Sequence, residues 1–276
     1  MKTNRCMSLM LEVCLCWLLT AGGCAIPMAK YERTVQLSAP LQPGSLFVAQ
    51  THNGSITVEG ADATDCALTA TIIARAGTEK DAQRLAEQTK VKLEPSASKL
   101  TGKIDKPTLG INQSVSVSLD VTVPNRTNLE LITHNGAVKI ANITGEVSGT
   151  THNGSVTATQ VSGAAKLHTH NGAIKCKEMS GDAQLQTHNG SVKVRYFETA
   201  PPVCDISIVT YNGGIDFTGP LNLSATVEAS THNGSLKTDL PITVTGQVSK
   251  KKLSGTIGGG QGKLHLETHN GSIAIR

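Results

Sequence analysis

Thr133-His134-Asn135-Gly136-Ala137-Val138 returns as Thr151-His152-Asn153-Gly154-Ser155-Val156, as Thr169-His170-Asn171-Gly172-Ala173-Ile174 and as Thr187-His188-Asn189-Gly190-Ser191-Val192. The interval is 18 residues each time. A short fixed period is the mark of stacked coils, each burying its apolar face against the next. Four further copies stand outside this run: Thr51-His52-Asn53-Gly54, Thr210-Tyr211-Asn212-Gly213, Thr231-His232-Asn233-Gly234 and Thr268-His269-Asn270-Gly271. Only the copy at Thr210 replaces the histidine, with tyrosine.

On both sides of Asn-Gly the residues alternate with period two, which is the pattern of a strand with one buried face. Val138 and Ile140 follow the glycine on the inward parity, and Leu185 and Leu266 precede it. The motif threonines share that parity, so the histidines point outward. Asparagine and glycine both tolerate positive φ, and Asn-Gly is therefore expected to fix a tight corner. A second corner, marked by Gly145, Gly163 and Gly181, closes each period.

Two architectures could use such corners. In a hairpin meander, Asn-Gly would be a two-residue turn between antiparallel neighbours. In a β-solenoid each 18-residue unit is one coil, and like positions stack at the strand spacing of about 4.8 Å. The solenoid explains more, because stacking like on like lets asparagine side chains bond up a column. The expected fold is thus all-β: a single-stranded parallel β-solenoid of 18-residue coils. Past Thr187 the intervals loosen to 23, 21 and 37 residues. Within the last interval Ser254-Gly255-Thr256-Ile257 reads as a decayed copy, with Gly258-Gly259-Gly260 as a looped corner.

The N-terminal part has another texture. Strands are expected over Asp65–Arg75, Val91–Glu94 and Ser114–Val123. One helix is expected near residues 79–90, with Thr78 as its N-cap and Ala82, Leu85, Ala86 and Thr89 on its apolar side. A helix across the open end of a stack would cover its apolar mouth. The expected organisation is a signal peptide over 1–23, a tether over 24–39, a β-rich cap over 40–125 and the solenoid over 126–276.

Lys2 and Arg5, the apolar run Val13–Leu19 and the small residues Ala21-Gly22-Gly23 before Cys24 resemble a bacterial lipoprotein signal. The resemblance implies cleavage before Cys24, acylation of that residue and, with Ala25 following, retention at an outer membrane. Acyl chains contribute roughly 0.8 kcal/mol per buried CH₂, which would hold the protein at a bilayer without a spanning helix. An ordinary signal peptide cut nearby is the alternative. Of the other cysteines beyond this segment, Cys176 and Cys204 fall on inward parity and, with Cys66, read as core filler.

The formal charge is only +4 and aromatic residues make up 3% of the chain. Neither stacking platforms for single-stranded nucleic acid nor a basic track is present, so nucleic-acid binding is excluded as an expectation. No cofactor motif stands out; the Gly258–Gly260 run lacks the lysine and helix of a phosphate loop.

The strand, amphipathic helix, strand Leu119–Val123 ending at Pro124, the repeated Thr-x-Asn-Gly-[Ser/Ala]-[Val/Ile] units and the closing Thr256–Gly260 and Leu264–Ile275 segments together resemble the bacterial DUF4097 family of proposed adhesins. The likeness spans about residues 45–276. It implies a β-solenoid at the cell envelope with an envelope glycan or protein as partner, and it supplies no catalytic residues.

One chemical possibility lies outside that resemblance. If the coils stack in register, His134, His152, His170 and His188 form an outward column, with His168 beside His170. Imidazole is a common zinc and copper ligand, so this column is the candidate metal site. His265, Glu267 and His269, on one face of a strand, are a second candidate. Enzyme readings find less support: the outward acids Glu130, Asp182 and Glu228 do not cluster, and no Ser/His pair has an orienting acid.

Overall fold

The computed structural model describes residues 28–244 and 249–276. The proposed signal segment and Cys24 therefore lie outside the described residues.

In chain order the elements are β1 (Ala29–Pro40), β2 (Leu46–Asn53), β3 (Ile56–Ala61), β4 (Asp65–Ala76), α1 (Glu79–Gln88), β5 (Lys90–Ser96), β6 (Lys99–Asp105), β7 (Ser114–Pro124), β8 (Asn128–Asn135) and β9 (Val138–Ile143). The regular run continues with β10 (Val147–Asn153), β11 (Val156–Val161), β12 (Ala165–Asn171), β13 (Ile174–Met179), β14 (Ala183–Asn189) and β15 (Val192–Tyr196). The chain closes with β16 (Asp205–Asn212), β17 (Ile215–Thr218), β18 (Ala225–Asn233), β19 (Leu236–Thr238), β20 (Thr243–Val244), β21 (Lys252–Ile257), β22 (Gly262–Asn270) and β23 (Ile273–Ile275).

Each Asn-Gly joins a strand of one sheet to a strand of the other, so every motif copy is one coil of a two-sheeted parallel solenoid. The register is strict: Thr151 lies opposite both Thr133 and Thr169, and Asn153 opposite both Asn135 and Asn171. The meander is thereby excluded. Inward residues such as Leu131, Val138, Ile140, Leu167, Ile174 and Leu185 fill the space between the sheets as one continuous core.

The order of coils along the axis is not the order of the sequence. At one end the coil β2–β3 sits between β6–β7 and β8–β9. At the other, β22–β23 sits between β16–β17 and β18–β19. Both terminal regions are thus interleaved with their neighbours.

Several boundaries differ from expectation. Ala29–Pro40, expected within a tether, is a twelve-residue strand paired antiparallel along its length with β4. The first motif copy is a full coil of the stack, although the expected cap included it. Covering of the end falls to antiparallel β1–β4–β7 and β5–β6 and to α1, whose Ala82, Leu85 and Ala86 join the core. The helix starts as expected, with the Thr78 hydroxyl accepting from the Asp81 amide at 3.1 Å. It stops at Gln88, and Thr89 is its C-cap. Strand β6 had no counterpart in the sequence reading. Ser254–Ile257 is not a decayed corner: it lies in β21, an edge strand antiparallel to β18. The following Gly258 and Gly260, with φ of 58° and 70°, make the turn that crosses the end of β18 to reach β22.

The corner glycines are required for a reason other than the expected one. Among the eight motif glycines only Gly54 and Gly213 have left-handed φ, and no motif asparagine does. A Cβ placed on Gly136, Gly154, Gly172 or Gly190 would instead overlap the carbonyl of the glycine one coil earlier. Gly163 meets Gly145 in the same way at the second corner. Close coil-to-coil approach, rather than turn conformation, selects glycine here.

Candidate functional site

The corner ridge is built from three columns. Innermost are the motif threonines, all buried. Each donates its hydroxyl proton to a backbone carbonyl of the adjacent coil: Thr133 to Gly54, Thr151 to Gly136 and Thr169 to Gly154, at 2.8–2.9 Å. Next come the asparagines, whose amides donate to the next side-chain carbonyl in an unbroken ladder from Asn53 to Asn233, every link 2.7–2.8 Å long.

Outermost is a column of rings. Spatial order runs His52, His134, His152, His170, His188, Tyr211, His269, His232, with centroids 4.6–4.9 Å apart. The planes are parallel to within 21°. The expected column of His134, His152, His170 and His188 is present, and four more rings extend it. Their signal was available, since each occupies the same motif position. Only the interleaved coil order hid the fact that His269 sits between Tyr211 and His232.

His168 lies two residues before His170 on β12, and both line a shallow groove of about 400 Å³ running past His52, His134 and His152. Burial, followed by the neighbouring His170, lowers the His168 pKa below its ordinary value. The second candidate set is divided. His265 faces Glu267 at 3.5 Å and Glu228 at 3.9 Å, while His269 belongs to the ring column.

Two nitrogens on one zinc ion can be no more than about 4.2 Å apart, twice the Zn–N bond length. Rings stacked at 4.6–4.9 Å also point their in-plane lone pairs in parallel directions, so neighbours do not converge on an ion. Among the described residues no three His, Cys, Asp or Glu side chains form a metal cage.

The remaining reactive groups are committed to packing. Cys66, Cys176 and Cys204 are free and buried. Burial pushes the Cys66 and Cys176 thiols up to about 12, far from a thiolate at neutral pH. The Tyr196 phenol, raised by burial, donates to the Gly181 carbonyl at 2.8 Å. On the outer face of the other sheet Lys139, Lys175 and Lys193 recur at one coil position, and Lys193 pairs with Asp216 at 3.3 Å.

This ladder of corners defines a β-solenoid of stacked, near-identical rungs. The family model described as Toastrack DUF4097 matches residues 49–276, and the chain belongs to that family. Solved structures resembling the chain include a proposed cell adhesion protein of Clostridium sporogenes, at 11% identity and a TM-score of 0.41 over 88% of this chain and 99% of that one. A proposed adhesin of Bacteroides fragilis shows 12% identity and a TM-score of 0.45 over 88% and 97%. A proposed lipid binding protein of Parabacteroides distasonis shows 9% identity and a TM-score of 0.37 over 88% and 96%. No curated protein matches the chain.

Proposed function

We propose that this chain is a non-catalytic, lipid-anchored protein of the bacterial cell envelope, an adhesin or scaffold that presents its solenoid as an extended rigid surface to an envelope glycan or protein. The observation that carries this reading is the uninterrupted three-column ridge. Its threonine hydroxyls and asparagine amides are used between coils, and its rings face solvent in one fixed line. Such a surface is preorganised for multivalent contact and loses little freedom on binding. No rung differs from its neighbours in the way a reaction centre needs, with a nucleophile, a base and an orienting group in one place. Family membership and the sequence likeness of the segment before Cys24 to lipoprotein signals give the envelope location its support.

The test is fractionation of a two-membrane bacterium producing the full chain, followed by pull-down of solubilised envelope polysaccharide and protein. The wild type is expected in the outer membrane with an acylated N-terminal peptide, and the Cys24→Ser variant in the soluble periplasm. Wild-type protein that is soluble and unacylated would end the anchor reading. Immobilised protein that captures no envelope component would end the adhesin reading.

A further inference from the structure

Among the described residues few large apolar side chains are exposed to water. Three of them stand on neighbouring segments at one corner of the N-terminal end, while Val203, Tyr211, Leu221 and Val244 lie elsewhere. Ile111 is 94% exposed, Leu109 40% and Met28 38%. Leu109 and Ile111 belong to the loop 106–113, which joins β6 to β7 where every later coil has a tight Asn-Gly corner. The loop has a defined shape: the Gln113 side chain accepts from the Gly110 amide at 2.8 Å, and Asn112 turns the chain with φ 56°.

Strand register places the chain's entry beside it. Ala29 pairs with Ala76 and Lys30 with Arg75 on β4, and Arg75 pairs with Ser114, the residue after the loop. Met28 therefore stands two strand spacings, about 10 Å, from the base of the loop. Cations and acids alternate around this corner, with Lys30 bonded to Glu32 and Arg84 to Asp81. Charge does not select a partner here, and the apolar tip does.

We infer that the Leu109–Ile111 loop, together with Met28, inserts into the lipid interface and sets the tilt of the solenoid on the membrane. This rests on the lipid-anchor reading. The five peptide steps from Cys24 to Ala29 reach at most about 18 Å, so an acylated Cys24 would hold this corner, and not the far end of the stack, at the bilayer. Exposed apolar side chains rimmed by polar ones at that position are a membrane contact, since lipid is the apolar phase within reach. An interfacial loop plus acyl chains also supplies a second attachment point, which a flexible anchor alone lacks.

The test places a tryptophan at the tip. The mature acylated chain, from which cleavage before Cys24 removes Trp17, the one tryptophan of the sequence, is prepared as Ile111→Trp and, separately, as Leu221→Trp, so that the new indole is the sole one. Leu221 is 78% exposed in the loop between β17 and β18, toward the other end of the stack. Both are reconstituted into vesicles of phosphatidylethanolamine and phosphatidylglycerol, with and without brominated acyl chains. The expected result is a blue shift and strong bromine quenching at position 111, with neither at 221. Equal, water-like emission from both positions in protein that floats with the vesicles would overturn the loop insertion and leave the anchor standing. Protein that does not float at all would remove the anchor reading, and the insertion with it.

Discussion

The Thr151 hydroxyl donates to the Gly136 carbonyl 2.8 Å away, linking the inward face of one coil to the corner of the coil before it. The same bond recurs in all the regular coils, so the inward threonine and the corner glycine act together across coils. Thr151→Val keeps the shape and removes the donor, leaving a part-buried carbonyl without its side-chain partner. The expected cost is about 1–3 kcal/mol, read as a lower urea midpoint at unchanged slope. Thr151→Ser should recover most of it. Equal midpoints for wild type and the valine variant would show that the bond contributes nothing.

Gly154→Ala puts a methyl group against the Gly136 carbonyl and must wedge two coils apart. We expect a loss of about 3 kcal/mol or more. Gly44→Ala, in a left-handed turn (φ 86°) with open space around it, should lose only about 1–2 kcal/mol. Thermal unfolding of the two variants side by side separates stacking clearance from backbone conformation.

Gln160 and Glu178 hold left-handed φ of 54° and 57° at the coil position where Asn142 holds 59°. Asparagine adopts this conformation more readily than longer side chains. Gln160→Asn and Glu178→Asn should therefore each stabilise the protein, by up to about 1 kcal/mol. A melting temperature unchanged or lowered in both would contradict this.

The pH dependence has a definite sign at His168. Its folded-state pKa is lowered, so the unfolded chain takes up the proton first as pH falls. The stability it contributes is complete above about 6.5, the unfolded value, and is lost as pH drops through that value toward the folded one. His168 faces Thr150 on β10 and Gln186 on β14, with Lys166 and His170 on its own strand, so no carboxylate offsets the charge. Urea midpoints at pH 7.5 and pH 5 should differ, and His168→Gln should narrow the difference.

Calorimetric titration with Zn²⁺ and Cu²⁺ at pH 7.5 is expected to show no sub-micromolar binding at integral stoichiometry. Parallel rings present separate, monodentate nitrogens along a line. A tight site abolished by valine at positions 134, 152, 170 and 188 would require the column to rearrange on loading.

How much of this was legible in the sequence follows from which forces are local. Period-two alternation around a fixed motif marks strand, corner and inward face, and the regular coils from Asn128 to Tyr196 stand where that pattern puts them. The asparagine ladder follows from repeating one polar side chain at the strand spacing. Ala29–Pro40 was hidden because an alternating edge strand with half-buried residues has too little apolar contrast to separate it from a tether. Ser254–Ile257 misled for the opposite reason: its residues imitate the motif, but its pairing with β18 is set by tertiary contact. The glycine requirement was misassigned because φ can be argued from residue type, whereas a clash with a carbonyl one coil away appears only once coils are stacked. The ring column was partly legible; its continuation through Tyr211, His269 and His232 depends on interleaving, for which no residue pattern speaks.

That interleaving constrains the timing of folding. Residues 262–275 follow both β16–β17 and β18–β19 in the chain but seat between them. The growing chain cannot finish its stack rung by rung behind the point of emergence. The place between those two coils must stay open, or reopen, until the later strand pair arrives to close it.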